Sequence, residues 1–300
     1  MARERILVTG GTGLVGSQLV HRLLDAGHEV SVLSRSERSD DRIRFYEWDV
    51  RAGRMDPDAV RTADRIVHLA GAGIADGRWT EERKRILRSS RLDSFALIQE
   101  VLADGDHSVK SVVSASAVGY YGDAGPDILD ETAASGDDFA AQLCSDWEAM
   151  LDEVPASIRT ARLRIGIVLS ADGGALPKLT MTWPAGLSYF GDGSQYQSWI
   201  HIDDLAGLFE HALFTDTVVG PLNAVAPNPV TQKEMVRAIR RVKGFPTPVL
   251  PTPAPFIRLA MGEMANILLF SQRCSADRVL ESGYSFRYEE IEPALEDLIG

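Results

Sequence analysis

Val8-Thr9-Gly10-Gly11-Thr12-Gly13-Leu14-Val15-Gly16 is the stretch on which the fold turns. Arg5–Thr9 leads into it as a short apolar run, and Leu14–Ala26 leaves it with Val15, Leu19, Leu23 and Leu24 at helical spacing. Strand, G-x-x-G-x-x-G and amphipathic helix, in that order, match a dinucleotide-binding turn with one residue inserted. Glycines there permit a tight turn, a close backbone approach to a diphosphate, and close packing of helix on strand. Unpaired N–H groups and the positive end of the helix dipole would hold the anion. Gly10, Thr12, Gly13, Leu14, Val15 and Gly16 are therefore candidate cofactor contacts. The competing reading is a glycine-rich turn that binds nothing.

Further strand patterns at Glu29–Ser34, Ile43–Trp48, Asp64–Ala70, Val109–Ser116 and Ile158–Leu169 alternate with helical patterns at Thr80–Leu102 and Phe139–Leu151. Such alternation predicts an α/β fold, a doubly wound, Rossmann-like parallel sheet with helices on both faces. After Ser170 the alternation is lost and glycine and proline become frequent. We read 1–170 as the cofactor domain, with contributions from later segments, and 171–300 as a smaller, mainly helical substrate or cap lobe. Ile257 to Phe270 reads as a buried or docking helix.

The second strand ends Leu33-Ser34-Arg35, where an NAD site would put an acid to hold both ribose hydroxyls. A hydroxyl and a guanidinium suit a 2′-phosphate instead, pointing to NADP; the alternative is a solvated arginine. Asp49 is a candidate adenine partner or a plain turn residue. His68-Leu69-Ala70-Gly71 closes the fourth strand with small residues that would let Leu69, Ala70 and Gly71 lie along the cofactor. Ser114-Ala115-Ser116-Ala117-Val118-Gly119-Tyr120-Tyr121-Gly122 follows the fifth, where strand ends meet the ligand crevice. Ser114 there is a candidate cofactor contact. Ser116 is the leading catalytic candidate, with Tyr121 or Tyr120 as phenol donors.

Net charge of −12 gives no general basic footprint for nucleic acid or an anionic membrane, although a local anion site remains compatible with it. No apolar run approaches the ~18 residues of a membrane span. Met-Ala-Arg-Glu-Arg running straight into a strand leaves no room for a secretory leader. Cys144 and Cys274 stand alone, fitting a reducing, cytoplasmic setting. The six histidines show no zinc-binding spacing, so no metal is expected.

Thr9 to Gly16, the H-L-A-G turn and the serine-rich strand ending in Y-G resemble the extended short-chain dehydrogenases/reductases, the NAD(P)-dependent epimerase/dehydratase family. Arg78-Trp79-Thr80, Ser90-Arg91, Asp146-Trp147-Glu148, Gly173-Gly174-Ala175 and Ser198-Trp199-Ile200-His201-Ile202-Asp203-Asp204 resemble its "epimerase family" subgroup with a distinctive C-terminal domain. The resemblance covers essentially the whole chain. It implies NADP contacts at Ser34, Arg35, Leu69, Ala70, Arg91 and Val168. His201, Asp203 and Asp204 have a structural reading too, either aspartate being the N-cap of the next helix.

Enzymes of the wider family carry a Y-x-x-x-K pair, and none of the seven tyrosines has lysine four residues on. Aligning Glu148 with the acid that follows that lysine puts Ala140 and Cys144 at the tyrosine and lysine places. Gln197 and Ser198 stand where sugar-nucleotide epimerases usually carry a diphosphate-binding arginine. The expected function is an NADP(H)-dependent oxidoreductase or epimerase-like enzyme acting on an unknown small molecule. A non-catalytic NADP(H)-binding sensor is the alternative, and a homodimer is left open as the assembly.

Overall fold

The computed structural model of the chain describes residues 3–36 and 38–300; Met1 and Ala2, the start of the run into the first strand, lie outside the described residues. Eight strands form one sheet: β1 Arg5–Thr9, β2 Glu29–Ser34, β3 Ile43–Asp49, β4 Arg54–Met55, β5 Arg65–His68, β6 Ser111–Ala117, β7 Arg159–Ile165 and β8 Gly220–Ala224. Their spatial order is β8-β7-β6-β5-β1-β2-β3-β4. Every neighbouring pair is parallel except β3 with β4. The order reverses at β1, between β2 on one side and β5 on the other, which opens a crevice at the carboxyl ends of the strands.

Central strands are buried along most of their length because helices cover both faces. Helices α1 (Leu14–Asp25), α2 (Glu81–Asp104), α3 (Phe139–Ala149) and α4 (Ile202–Phe214) do most of the covering. Leu19, Leu23, Leu205, Leu208 and Phe209 of α1 and α4 pack on Val8, Val30, Val113 and Leu163. On the opposite face Phe95, Ile98 and Leu102 of α2 pack on Leu7, Ile66 and Val112. Phe95 is fully buried, and truncating such a side chain to alanine costs about 3–5 kcal/mol. Thr80 caps α2 as its sequence predicts, accepting from the Arg83 N–H, and left-handed Gly105 ends the helix.

Three expectations need correction. The pattern at 158–169 is not one strand: Gly166 interrupts it, and Ile167–Leu169 steps out to pair with Trp199–His201. A Cβ at Gly166 would lie 2.5 Å from the Ser198 carbonyl oxygen, so only glycine lets those segments meet. Neither Asp203 nor Asp204 caps α4. The cap is His201, whose Nδ1 accepts from the Asp203 N–H at 3.1 Å. Asp204 instead reaches the C-terminal segment, accepting from the N–H groups of Arg287 at 2.8 Å and Tyr288 at 2.9 Å. Finally, 257–270 is not one helix. Gly262, at φ 62°, separates α6 (Ala254–Met261) from the short turns Gly262–Ala265 and Asn266–Leu269, and of α6 only Ile257 is buried.

Beyond Ser170 the chain contributes α4 and β8 to the large sheet and also forms a separate apolar cluster around Leu187, Trp199, Val236, Ile239 and Leu295. Around it lie α5 (Gln232–Lys243), opened by a Thr231/Glu234 capping box, α7 (Ile291–Ile299), and a strand pair of Leu187–Phe190 with Val249–Thr252. No helix among the described residues is long and apolar enough to cross a membrane. No group of three or more His, Cys, Asp or Glu among them is placed to hold a metal.

Candidate functional site

The glycine loop sits where β1 turns into α1. Gly10 has φ 66°, and a Cβ there would lie 2.8 Å from the Leu69 carbonyl oxygen. A Cβ at Gly16 would fall inside the Gly10 carbonyl group, so Gly16 is a packing glycine. Gly13 differs from both: it is the N-cap of α1 with no side-chain cap, and its Cβ would meet nothing but the Gly10 oxygen at 3.3 Å. The N–H groups at the start of α1 therefore face open space, the arrangement that holds a diphosphate. Thr12, Leu14 and Val15 share this turn. Leu14 is covered from the far side by Gly173 and Gly174, whose Cβ positions lie 3.3 Å and 3.5 Å from its side chain. The sequence signal for this cover was Gly173-Gly174-Ala175.

Thr9 organises the next part. Its Oγ1 accepts from the N–H groups of Leu69 and Ala70, both at 3.0 Å, and lies 3.0 Å from His68 Nδ1. With both backbone donors accepted, the hydroxyl proton goes to His68, whose Nδ1 must be bare. Burial pushes the His68 pKa down to about 3, so the ring is neutral, and the Leu69-Ala70-Gly71 backbone is pinned beside the loop. Behind Gly71 lies Arg91. It donates to the carbonyls of Leu87 at 3.0 Å and Ala72 at 3.1 Å and packs 5.0 Å from the Trp147 ring. Among the described residues it has no carboxylate partner, and burial pulls its pKa below the usual arginine value.

At the end of β2, the Ser34 hydroxyl donates to the Ser36 carbonyl at 2.8 Å, closing the turn. Arg35 is exposed and forms no ion pair among the described residues. Asp49 accepts from the Ala52 N–H at 3.1 Å and faces Arg54 at 3.7 Å, so its carboxylate closes the turn between β3 and β4.

At the end of β6 a chain of polar side chains is buried. Ser116 Oγ donates to Glu148 Oε1 at 2.7 Å. Arg164 grips both carboxylate oxygens, at 2.8 Å and 2.9 Å, and donates to the Tyr121 hydroxyl at 3.0 Å. Burial opposes the charge on Arg164, yet Glu148 and Tyr121 raise its pKa above the ordinary value. Tyr121 donates in turn to Asn223 Oδ1 at 2.6 Å, and burial pushes its own pKa up. Asn223 donates to the carbonyls of Leu129 and Ser275, both at 3.1 Å. Ser114 is buried and donates to the Ala115 carbonyl at 3.0 Å. Half-buried Val168 lies beside Gly174 and accepts from the Ala175 N–H at 3.5 Å. Sequence reading used Glu148 only as a register mark and passed over Arg164 and Asn223; the charge in an otherwise apolar strand, Arg162-Leu163-Arg164-Ile165, was the available signal.

Helix α3 runs beside the end of β6. Ala140 lies 3.5 Å from a Cβ placed on Gly119. One turn on is buried Cys144, whose thiol burial pushes up to about 12 beside Glu148, Arg91 and Ser116. One turn further is Glu148. The strand end thus faces a methyl group and a buried, neutral thiol. Around Ala140 the wall is apolar, with Trp79, Leu143 and Met264 buried and Ala72, Ile74, Phe139, Met261 and Ile267 packed against them. Gln197 is buried and donates to its neighbour's carbonyl, Tyr196 O, at 3.4 Å.

The model of the NAD dependent epimerase/dehydratase family matches residues 6–221. The chain belongs to that family. A second match, to a domain of unknown function, takes residues 252–298. Epimerase family protein YfhF of Bacillus subtilis is 34% identical over 300 residues, covering 98% of this chain and 97% of that protein. Human epimerase family protein SDR39U1, isoform 2, solved with NADPH, is 32% identical with a TM-score of 0.89, covering 98% of each chain. The UDP-glucose 4-epimerase of Thermus thermophilus, solved with NAD, shares the fold at TM-score 0.74 and 20% identity, covering 97% of this chain and 96% of that one.

Proposed function

We propose that the protein is an NADP(H)-dependent oxidoreductase acting on a small molecule in the crevice at the carboxyl ends of β5, β6 and β7. The observation that carries the cofactor choice is the end of β2, where Ser34 closes the turn and exposed Arg35, with no ion pair among the described residues, would meet a 2′-phosphate. The NADPH bound to human SDR39U1 supports the same choice. When bound, the nicotinamide supplies hydride donation or acceptance.

The chain's own residues divide the remaining work. Gly10, Thr12, Gly13, Leu14, Val15 and Gly16 would hold the diphosphate at the start of α1, and Leu69, Ala70 and Gly71 would lie along the cofactor. Arg91, Ser114 and Val168 would border its nicotinamide half, and Asp49 its adenine end. Ser116 is the hydroxyl nearest the reacting atoms. Because Glu148 takes its proton, Ser116 offers lone pairs to the crevice and accepts a hydrogen bond from a substrate hydroxyl. Tyr121, closed between Arg164 and Asn223, acts through them as a positioning residue. Tyr120, half-buried with its ring 3.5 Å from the Arg164 guanidinium, is the phenol left for the crevice.

NADPH should raise the melting temperature more than NADH at equal concentration, since a ligand stabilises by RT ln(1 + [L]/Kd). Arg35→Asp should erase or invert that preference. Equal shifts in the unmodified protein would overturn the assignment.

A further inference from the structure

Arg273 stands apart from the other arginines. Among the described residues it is the one arginine outside the exposed ones that makes neither a hydrogen bond nor an ion pair. Its one neighbour of note is Tyr196, whose ring lies 4.7 Å from the guanidinium carbon. Stacking of that kind holds the plane of the guanidinium and leaves its N–H edge free.

The surroundings tie the segment that carries it to the ends of β6 and β7. Arg273 lies in a two-residue strand, Arg273–Cys274, paired with Ile128–Leu129. Just before it, Gln272 donates to the Gly122 carbonyl at 2.9 Å, and Ser271 N–H donates to Asp123 at 3.0 Å. The segment is thereby tied to the loop that follows Tyr120 and Tyr121. On its other side the Ser198 hydroxyl donates to the Gln272 carbonyl at 2.8 Å and accepts from the Cys274 N–H at 2.9 Å. Ser198 in turn touches Gly166, at the end of β7. Arg273 therefore sits on a segment tied both to the loop after Tyr121 and, through Ser198, to the end of β7, the two strand ends that border the crevice.

A guanidinium taken partly out of water without a counter-charge is costly, and this chain has acid to spare, with 43 acidic against 31 basic residues. Asp123, the acid bonded to this segment, is spent on the Ser271 N–H, and Gln197 is turned to the Tyr196 carbonyl. We propose that Arg273, held flat by Tyr196, recognises an oxyanion on the substrate, a carboxylate or a phosphate. The substrate is then an anionic hydroxy or carbonyl compound, with its anion about the crevice's width from the reacting carbon. This deepens the oxidoreductase reading above and rests on it for the identity of the bound molecule as substrate.

The test is calorimetry on protein first saturated with NADPH, so that the diphosphate loop is filled, using inorganic phosphate and succinate as separate titrants. Binding of at least one is expected, weakened tenfold or more by Arg273→Met and partly restored by Arg273→Lys, with NADPH affinity unchanged in all three proteins. Phosphate binding without succinate, or the reverse, says which oxyanion the site takes. Absence of binding by both anions, or binding that Arg273→Met leaves intact, would overturn the proposal. If NADPH itself does not bind, the cofactor reading falls separately. The comparison of wild type with Arg273→Met, repeated without NADPH on Gly13→Val protein, then still decides the anion site.

Discussion

Ser116 and Glu148 form a one-way hydrogen bond: the carboxylate can only accept, so the serine proton is committed to Glu148 at 2.7 Å. The same carboxylate neutralises Arg164, which is almost wholly buried. Glu148→Gln would leave that guanidinium without a counter-charge and should cost about 3–5 kcal/mol of stability. Ser116→Ala leaves the ion pair in place and should cost about 1–3 kcal/mol, while slowing any turnover by up to about tenfold, the scale of one ordinary hydrogen bond accepted from substrate. Urea unfolding of both variants checks the ranking; a Glu148→Gln protein as stable as wild type would refute it.

The two glycines Gly13 and Gly16 should fail in different ways. Gly16→Val drives a side chain into the Gly10 carbonyl and should lower the yield of folded protein sharply. Gly13→Val has room in the protein but fills the space over the start of α1. Its circular dichroism spectrum should match wild type while calorimetry with NADPH shows no binding. A folded Gly13→Val protein that binds normally would mean the loop is only a turn.

His68 gives a pH signature. Its ring stays neutral in the folded protein down to about pH 3, whereas the unfolded chain takes up a proton near 6.5. The unfolded state binds the extra proton, so stability is complete above that upper value and falls with acid across the window, by about 1.4 kcal/mol per pH unit. His68→Asn keeps a partner for Thr9 and removes the titration. Its stability should fall less steeply than wild type between roughly pH 6 and pH 4, by about that slope. Parallel slopes in urea midpoints would show that His68 is accessible to protons after all.

Interconversion of UDP-glucose and UDP-galactose with NADP⁺ should be absent or far below the usual range of about 1–1000 per second. An unassisted phenol, with pKa about 10, is ionised about one part in a thousand at pH 7. Burial pushes Tyr121 higher still, and Cys144 offers no cation to bring a phenolate down. Chromatography after long incubation checks this, and ordinary turnover would mean that another base serves the site.

The large sheet was legible because each buried strand of a doubly wound fold reads as an apolar run and each covering helix as a 3.6-residue stripe. The glycine loop was legible for the same reason, since its neighbours on both sides carried those patterns. What escaped was governed by contacts distant in sequence. Gly166 breaks a strand because Ser198 arrives beside it. Asp204 looked like a cap and serves instead as an acceptor for Tyr288, 84 residues on. Pro251, Pro253 and Gly262 cut the later part of the chain into pieces too short to carry a period, so it read as mainly helical without its helices being bounded.

The buried chain from Ser116 through Glu148, Arg164, Tyr121 and Asn223 ends on the carbonyl of Ser275, inside the segment matched as a separate domain. Asp204 makes a second such crossing at Arg287 and Tyr288. A border drawn in sequence at residue 252 is thus no border in cohesion. Release of the tail would orphan an amide and a carboxylate in the interior of what remained. The two matched segments should melt in a single calorimetric transition, and the tail is better regarded as the last course of masonry in one building than as a module added to it.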